Sequence, residues 1–149
     1  MSQSIQKAPI KGKKMSLSSV FSTPDFQEAV HNALNDVARE KRFVSSVIAA
    51  SVANPVIQEC TPKSVLSVAL IGESLNLIPS PQMGQYYFVP FEVALKDKNG
   101  KKIPLMDEDG QPVTRDGQQV FLTEKRAQFV LGYKGLIQLA LRSGYYKKL

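Results

Sequence analysis

Three residues, Pro79-Ser80-Pro81, divide this chain into two regimes of periodicity. Before them, apolar residues recur at three- and four-residue spacing, as in helices buried on one face. After them come an aromatic run, three turn dipeptides and a second strand-like run. Proline fixes φ and lacks a backbone N–H, so this segment cannot continue a helix. A chain so divided reads as helices first and strands after. Its 149 residues suffice for one domain with a real core.

In the helical half, Thr23-Pro24-Asp25 predicts a start: Thr23 can cap, Pro24 suits the first turn, and Asp25 and Glu28 favour the positive end of the dipole. Phe26, Val30, Ala33, Leu34 and Val37 then form one apolar face. Arg39, Lys41 and Arg42 mark an expected helix junction. Phe43, Val47, Ile48, Ala50, Ser51 and Val52 continue as a second helix, closed by Asn54-Pro55. Thr61-Pro62 repeats the start signal. Val65 to Leu77 is apolar on nearly every side, which predicts a mostly buried helix. His31 reads as a surface or satisfied histidine rather than a ligand, and Cys60 as structural. Residues 1–20, rich in Ser, Lys and Gln, are expected to form a flexible basic tail ahead of a core spanning 21–149.

In the second half, Gly84 leads into Tyr86–Phe91, whose aromatic density reads as a strand, with Pro90 marking an edge or bulge. Alternation puts Tyr86, Phe88 and Pro90 on one face, and Tyr87, Val89 and Phe91 on the other. One aromatic face is core; the other is a core or interface surface, or a stacking platform. Residues 96–124 form a polar excursion with turns at Asn99-Gly100, Asp109-Gly110 and Asp116-Gly117. This predicts a long polar hairpin, with short strands near 101–106 and 118–122. Asp107, Glu108, Asp109 and Asp116 fall at turn positions without a His, Lys or nucleophile placed to partner them. They read as solvated turns, not as a metal or acid/base site.

The net charge of +6 is unevenly spread. Lys7, Lys11, Lys13 and Lys14 lie in the first 24 residues, and Lys125, Arg126, Lys134, Arg142, Lys147 and Lys148 in the last 25. Neither segment holds an acid; all 13 lie between them. Charge concentrated in this way favours a polyanionic partner. Within Lys125–Leu149 the cations interleave with Tyr133, Tyr145 and Tyr146, which suits a grip on phosphates and bases; a solvated face is the other reading. A strand at 125–131 is followed by a corner at Gly132 and Gly135, a basic helix around Leu136–Leu141, and a stop at Ser143-Gly144. A helix starting at Tyr133–Lys134 would offer backbone N–H groups to an anion beside Lys134. One cysteine cannot form an internal disulfide, which fits a reducing, cytoplasmic setting. One Cys and one His make no metal cage. No apolar run reaches the roughly 18 residues of a membrane span.

Several blocks carry a family resemblance. They are Thr61-Pro62-Lys63-Ser64-Val65-Leu66, then Leu75-Asn76-Leu77, then Gly84-Gln85-Tyr86-Tyr87-Phe88-Val89-Pro90-Phe91, and last Gln128 through Gly144. In order and spacing they resemble the RecT family of phage single-strand annealing proteins, over roughly residues 25–149. The resemblance implies an α+β fold, with N-terminal helices packed beside a small antiparallel sheet, and ATP-independent binding of single-stranded DNA and annealing of complementary strands in phage or prophage recombination. It further implies ring or helical homo-oligomers, a partner exonuclease and a host single-strand-binding protein in the bacterial cytoplasm. Family members run on past the Arg142-Ser143-Gly144 block, so a chain stopping at Leu149 is expected to be an N-terminal portion.

Arg126, Lys134, Arg142, Lys147 and Lys148 are the expected phosphate contacts. Gln128, Tyr133 and Gln85 are candidates for backbone or base contacts. Strand alternation points Lys125 away from Arg126. No catalytic residue, metal ligand or cofactor is expected, and the function is positioning rather than bond chemistry. A passive single-stranded DNA-binding module and a non-catalytic assembly fragment are the alternatives.

Overall fold

A computed structural model of the chain describes residues 16–146. Its helices are α1 (Leu17–Phe21), α2 (Pro24–Leu34), α3 (Val37–Ala53), α4 (Pro62–Ser74) and α5 (Tyr133–Arg142). A 3-10 segment, Pro55–Glu59, joins α3 to α4. The strands are β1 (Tyr86–Ala94), β2 (Thr114–Arg115), β3 (Gln118–Gln119) and β4 (Thr123–Leu131). The architecture is α+β, with helices beside a small antiparallel ribbon.

Both prolines expected at helix starts are there, Pro24 in α2 and Pro62 in α4. Thr23 stands at the N-cap, yet its hydroxyl donates back to the Val20 carbonyl at 2.6 Å. Residues 17–20, expected to belong to the tail, are instead part of α1. Ser16 caps α1, and Leu17 and Phe21, four residues apart, bury their side chains in the core. The Phe21 and Phe26 rings lie 4.5 Å apart. Residues 1–15 lie outside the described residues.

The junction between the first two long helices also differs from the expectation at 39–42. Asn35 takes a left-handed conformation (φ 51°) and ends α2, and the Asp36 carboxylate accepts the Arg39 N–H at 3.0 Å to start α3. That hydrogen bond holds the Asp36 carboxyl below its usual pKa. Val37 therefore belongs to α3 and is exposed. His31 is on the surface, 2.8 Å from Glu40, and Arg39 reaches Glu73 of α4 at 2.8 Å.

β1 pairs with β4 from Tyr86↔Leu131 to Ala94↔Thr123. Opposed residues share a face, so Tyr86, Phe88 and Phe129 turn together toward the helices. The Tyr86 and Phe129 rings stack at 5.0 Å. Tyr86 fits because Gly72 of α4 has no side chain: a Cβ there would lie 2.3 Å from the ring. Burial, with Glu73 nearby, raises the Tyr86 phenol well above its ordinary pKa.

The Gly132 N–H donates to the Gln85 carbonyl and the Leu95 N–H to the Leu122 carbonyl, both at 2.8 Å. Odd-numbered residues of β1 thus bond toward β4, and Pro90 turns its missing N–H to the outer edge, where among the described residues no strand pairs. The outer edge of β4 is sealed by α4. There the Thr61 N–H donates to the Lys125 carbonyl at 2.8 Å, and the Ala127 N–H to Ser64 Oγ at 2.9 Å.

The polar excursion is more ordered than a simple hairpin. Leu95, Ile103 and Leu122 exchange backbone hydrogen bonds in a three-membered ring, and Leu105, Val113 and Val120 do so in a second. Asp97 Oδ1 accepts the N–H groups of Asn99 and Lys101, and Asp107 Oδ1 those of Asp109 and Gln111. Asp116-Gly117, both at positive φ, forms the tight turn between β2 and β3.

Candidate nucleic-acid interface

The start of α5 is clamped onto the start of β1. A Cβ on Gly135 would lie 2.0 Å from the Gln85 carbonyl oxygen, and one on Gly132 would lie 2.1 Å from that of Gly84. Only glycine allows backbones this close. Gly84 itself needs positive φ (62°), and a Cβ there would sit 3.1 Å from the Tyr87 hydroxyl and 3.4 Å from Lys134 Cδ. The Tyr87 ring, the Lys134 stem and the first turn of α5 therefore converge on one corner. No side chain caps α5, and no acid lies in its first turn. Free N–H groups, the helix dipole and the exposed Lys134 add up to positive potential there.

A second cationic point lies farther along β4. Arg126 projects from the solvent face, opposite Phe91, and its Nε donates to Glu124 at 2.6 Å. Exposed pairs of this kind are worth about 1 kcal/mol or less, so a phosphate can compete for the guanidinium. Beside it, a cavity of about 450 Å³ is lined by Thr61, Lys63, Ser64, Ser67, Glu124, Arg126 and Ala127. Like α5, α4 begins with a lysine and no acid in its first turn, whereas α2 has Asp25 and α3 has Glu40. Acids normally favour that position. Lys63 was not singled out from the sequence; that reversed charge preference at Thr61-Pro62-Lys63 was the available signal.

The other expected contact residues divide. Gln128 is exposed on the solvent face, opposite Val89, and Tyr133 is 67% exposed at the start of α5. Arg142 is exposed but donates to the carbonyls of Leu75 and Asn76, both at 3.0 Å, bracing α5 against the end of α4. Gln85 must be corrected. It is buried, and its side-chain oxygen accepts the Ile78 N–H at 2.8 Å, so it holds the Pro79–Gly84 turn rather than facing a ligand. Lys147 and Lys148 lie outside the described residues. Lys125 points to the other face, paired with Glu59, which raises its pKa.

The turn carboxylates of Asp97 and Asp107 are occupied by backbone N–H groups. Among the described residues, no three His, Cys, Asp or Glu side chains gather as metal ligands. Nor is any described helix long and apolar enough to cross a membrane.

The model of the RecT family matches residues 41–149, which include α4, the ribbon and α5. The chain belongs to the RecT family. It is also 26% identical over 141 residues to the uncharacterized protein YqaK of Bacillus subtilis (strain 168), an alignment covering 95% of this chain and 38% of YqaK. The chain thus spans less than two-fifths of that relative's length. No solved structure matches it. Within this RecT-family chain, the matched segment contains Arg126, Gln128, Tyr133 and Lys134 as well as Lys63.

Proposed function

We propose that this chain binds single-stranded DNA and promotes the annealing of complementary strands without ATP, in phage or prophage recombination. The observation that carries this reading is the placement of Lys63 and Lys134. Each stands in the acid-free first turn of a helix that starts against the β1–β4 ribbon, with Arg126 beside Lys63. Membership of the RecT family supports it. Two complementary strands repel through their phosphates; a positive surface cancels the repulsion and releases counterions. Phosphates carry no sequence information, so the grip is indifferent to sequence and leaves pairing to the bases. The chain acts by positioning, without a catalytic residue, metal or cofactor.

The working form is a homo-oligomer, ring or filament, that lines up successive stretches of one strand. The α5 surface supports this: Tyr133, Leu136, Ile137 and Leu141 form an exposed apolar stripe. A partner exonuclease supplies the single strand and a host single-strand-binding protein shares it, in the bacterial cytoplasm. Mixing labelled complementary oligonucleotides with the full chain, without nucleotide triphosphate, tests the reading. Accelerated duplex formation is expected. Binding without acceleration would leave a passive single-strand-binding module; no binding would leave an assembly fragment.

A further inference from the structure

We infer that the solvent face of the β1–β4 ribbon is a base-stacking platform built on Tyr87 and Phe91. This rests on the reading of the chain as a binder of single-stranded DNA, and adds which part of the nucleotide the ribbon holds. The two rings sit four residues apart on one face, so about 13 Å separates their positions. They remain 36% and 48% exposed, while Tyr86 and Phe88 of the same strand are buried. The core face is already filled, so packing does not account for a second row of aromatics.

Each ring has a cation beside it. Arg126 is the direct cross-strand partner of Phe91, and the Lys134 stem and Tyr87 hydroxyl meet over Gly84. Gln128, opposite Val89, lies between the two pairs. The unit is an aromatic ring with an adjacent positive charge, repeated once, which matches a base with its phosphate. The one acid in register on this face, Glu124, is taken up by Arg126. An apolar protein partner would have to bury the Arg126–Glu124 pair, and Lys134 with no acid beside it in register on this face; a single strand satisfies rings and charges together. Exposed aromatics on a sheet hold about two or three bases in other single-strand readers. Stacking uses the π-face and leaves the pairing edge open, which annealing requires.

The test compares binding of the full chain to an oligothymidine and to an abasic oligonucleotide of equal length, over a range of salt. Wild type should bind the oligothymidine more tightly. Tyr87→Ala and Phe91→Ala should each weaken that binding about five-fold or more, with the salt slope unchanged and little effect on the abasic strand. Tyr87→Phe and Phe91→Tyr should retain it. Equal wild-type affinity for the two oligonucleotides would overturn the platform but leave the phosphate grip standing, and that comparison needs no variant to fold. Alanine variants that bind normally but no longer self-associate would overturn it in favour of a second copy on this face. Failure of wild type to bind either strand would sink both readings.

Discussion

Gly135 couples the packing of this molecule to its proposed function. Its missing side chain lets α5 start against the Gln85 carbonyl, and that contact sets where Lys134 stands. Because the obstacle is backbone, it cannot swing aside as a flexible side chain would. Gly135→Ala is therefore expected to shift α5 and lower stability by about 1–3 kcal/mol, read by denaturant unfolding. It should also weaken binding to single-stranded DNA although no contact group is removed. Gly72→Ala meets a ring instead, that of Tyr86, and should cost stability on the same scale while sparing the corner around Lys134. A Gly135→Ala protein with wild-type stability and affinity would argue against the clamp. Single residues also mark where the sequence misleads. Gln85 reads as polar and available, but an Ile78 N–H found only in the folded state claims its amide. Asn35 ends a helix at positive φ, yet Leu34 and Val37 keep helical spacing across it, so periodicity hides the break.

At the scale of elements, the two edges of the β1–β4 ribbon are managed differently. The β4 edge is sealed through Thr61 and Ser64, so the helix-start signal visible in the sequence also has a tertiary role. Ser64→Ala would leave the Ala127 N–H without its acceptor in a partly buried place. We expect a loss of about 1–2 kcal/mol and faster amide exchange at Ala127; unchanged exchange would show that the contact does not hold the edge. The β1 edge instead carries Pro90, which has no N–H to offer. Elements with strong local signals were legible: proline fixes the starts of α2 and α4, and aromatic alternation assigns the faces of β1. The helical turn at Leu17–Phe21 was not, because five residues are too short to show a period. Nor were the hydrogen-bond rings of the excursion, which join residues far apart in sequence.

For the whole molecule, charge is what the sequence displays best and places worst. The acid-free run from Lys125 to Leu149 is visible at a glance, but among the described residues its cations do not form one patch. Lys125 pairs with Glu59, Arg142 braces two helices, and Arg126 and Lys134 stand at separate points of the ribbon. Lys63 joins them from 60 residues before the strand it borders, a neighbourhood that only the docking of α4 on β4 creates. The most direct test is the dependence of single-stranded DNA affinity on salt, for wild type, Lys134→Ala and, as a control in the polar excursion, Lys101→Ala. Affinity of wild type should fall steeply with salt. Lys134→Ala should bind more weakly, with a slope of log K against log salt shallower by about 0.7, and Lys101→Ala should match wild type. A salt-independent affinity, or a Lys134→Ala line that overlays the wild type, would contradict the account.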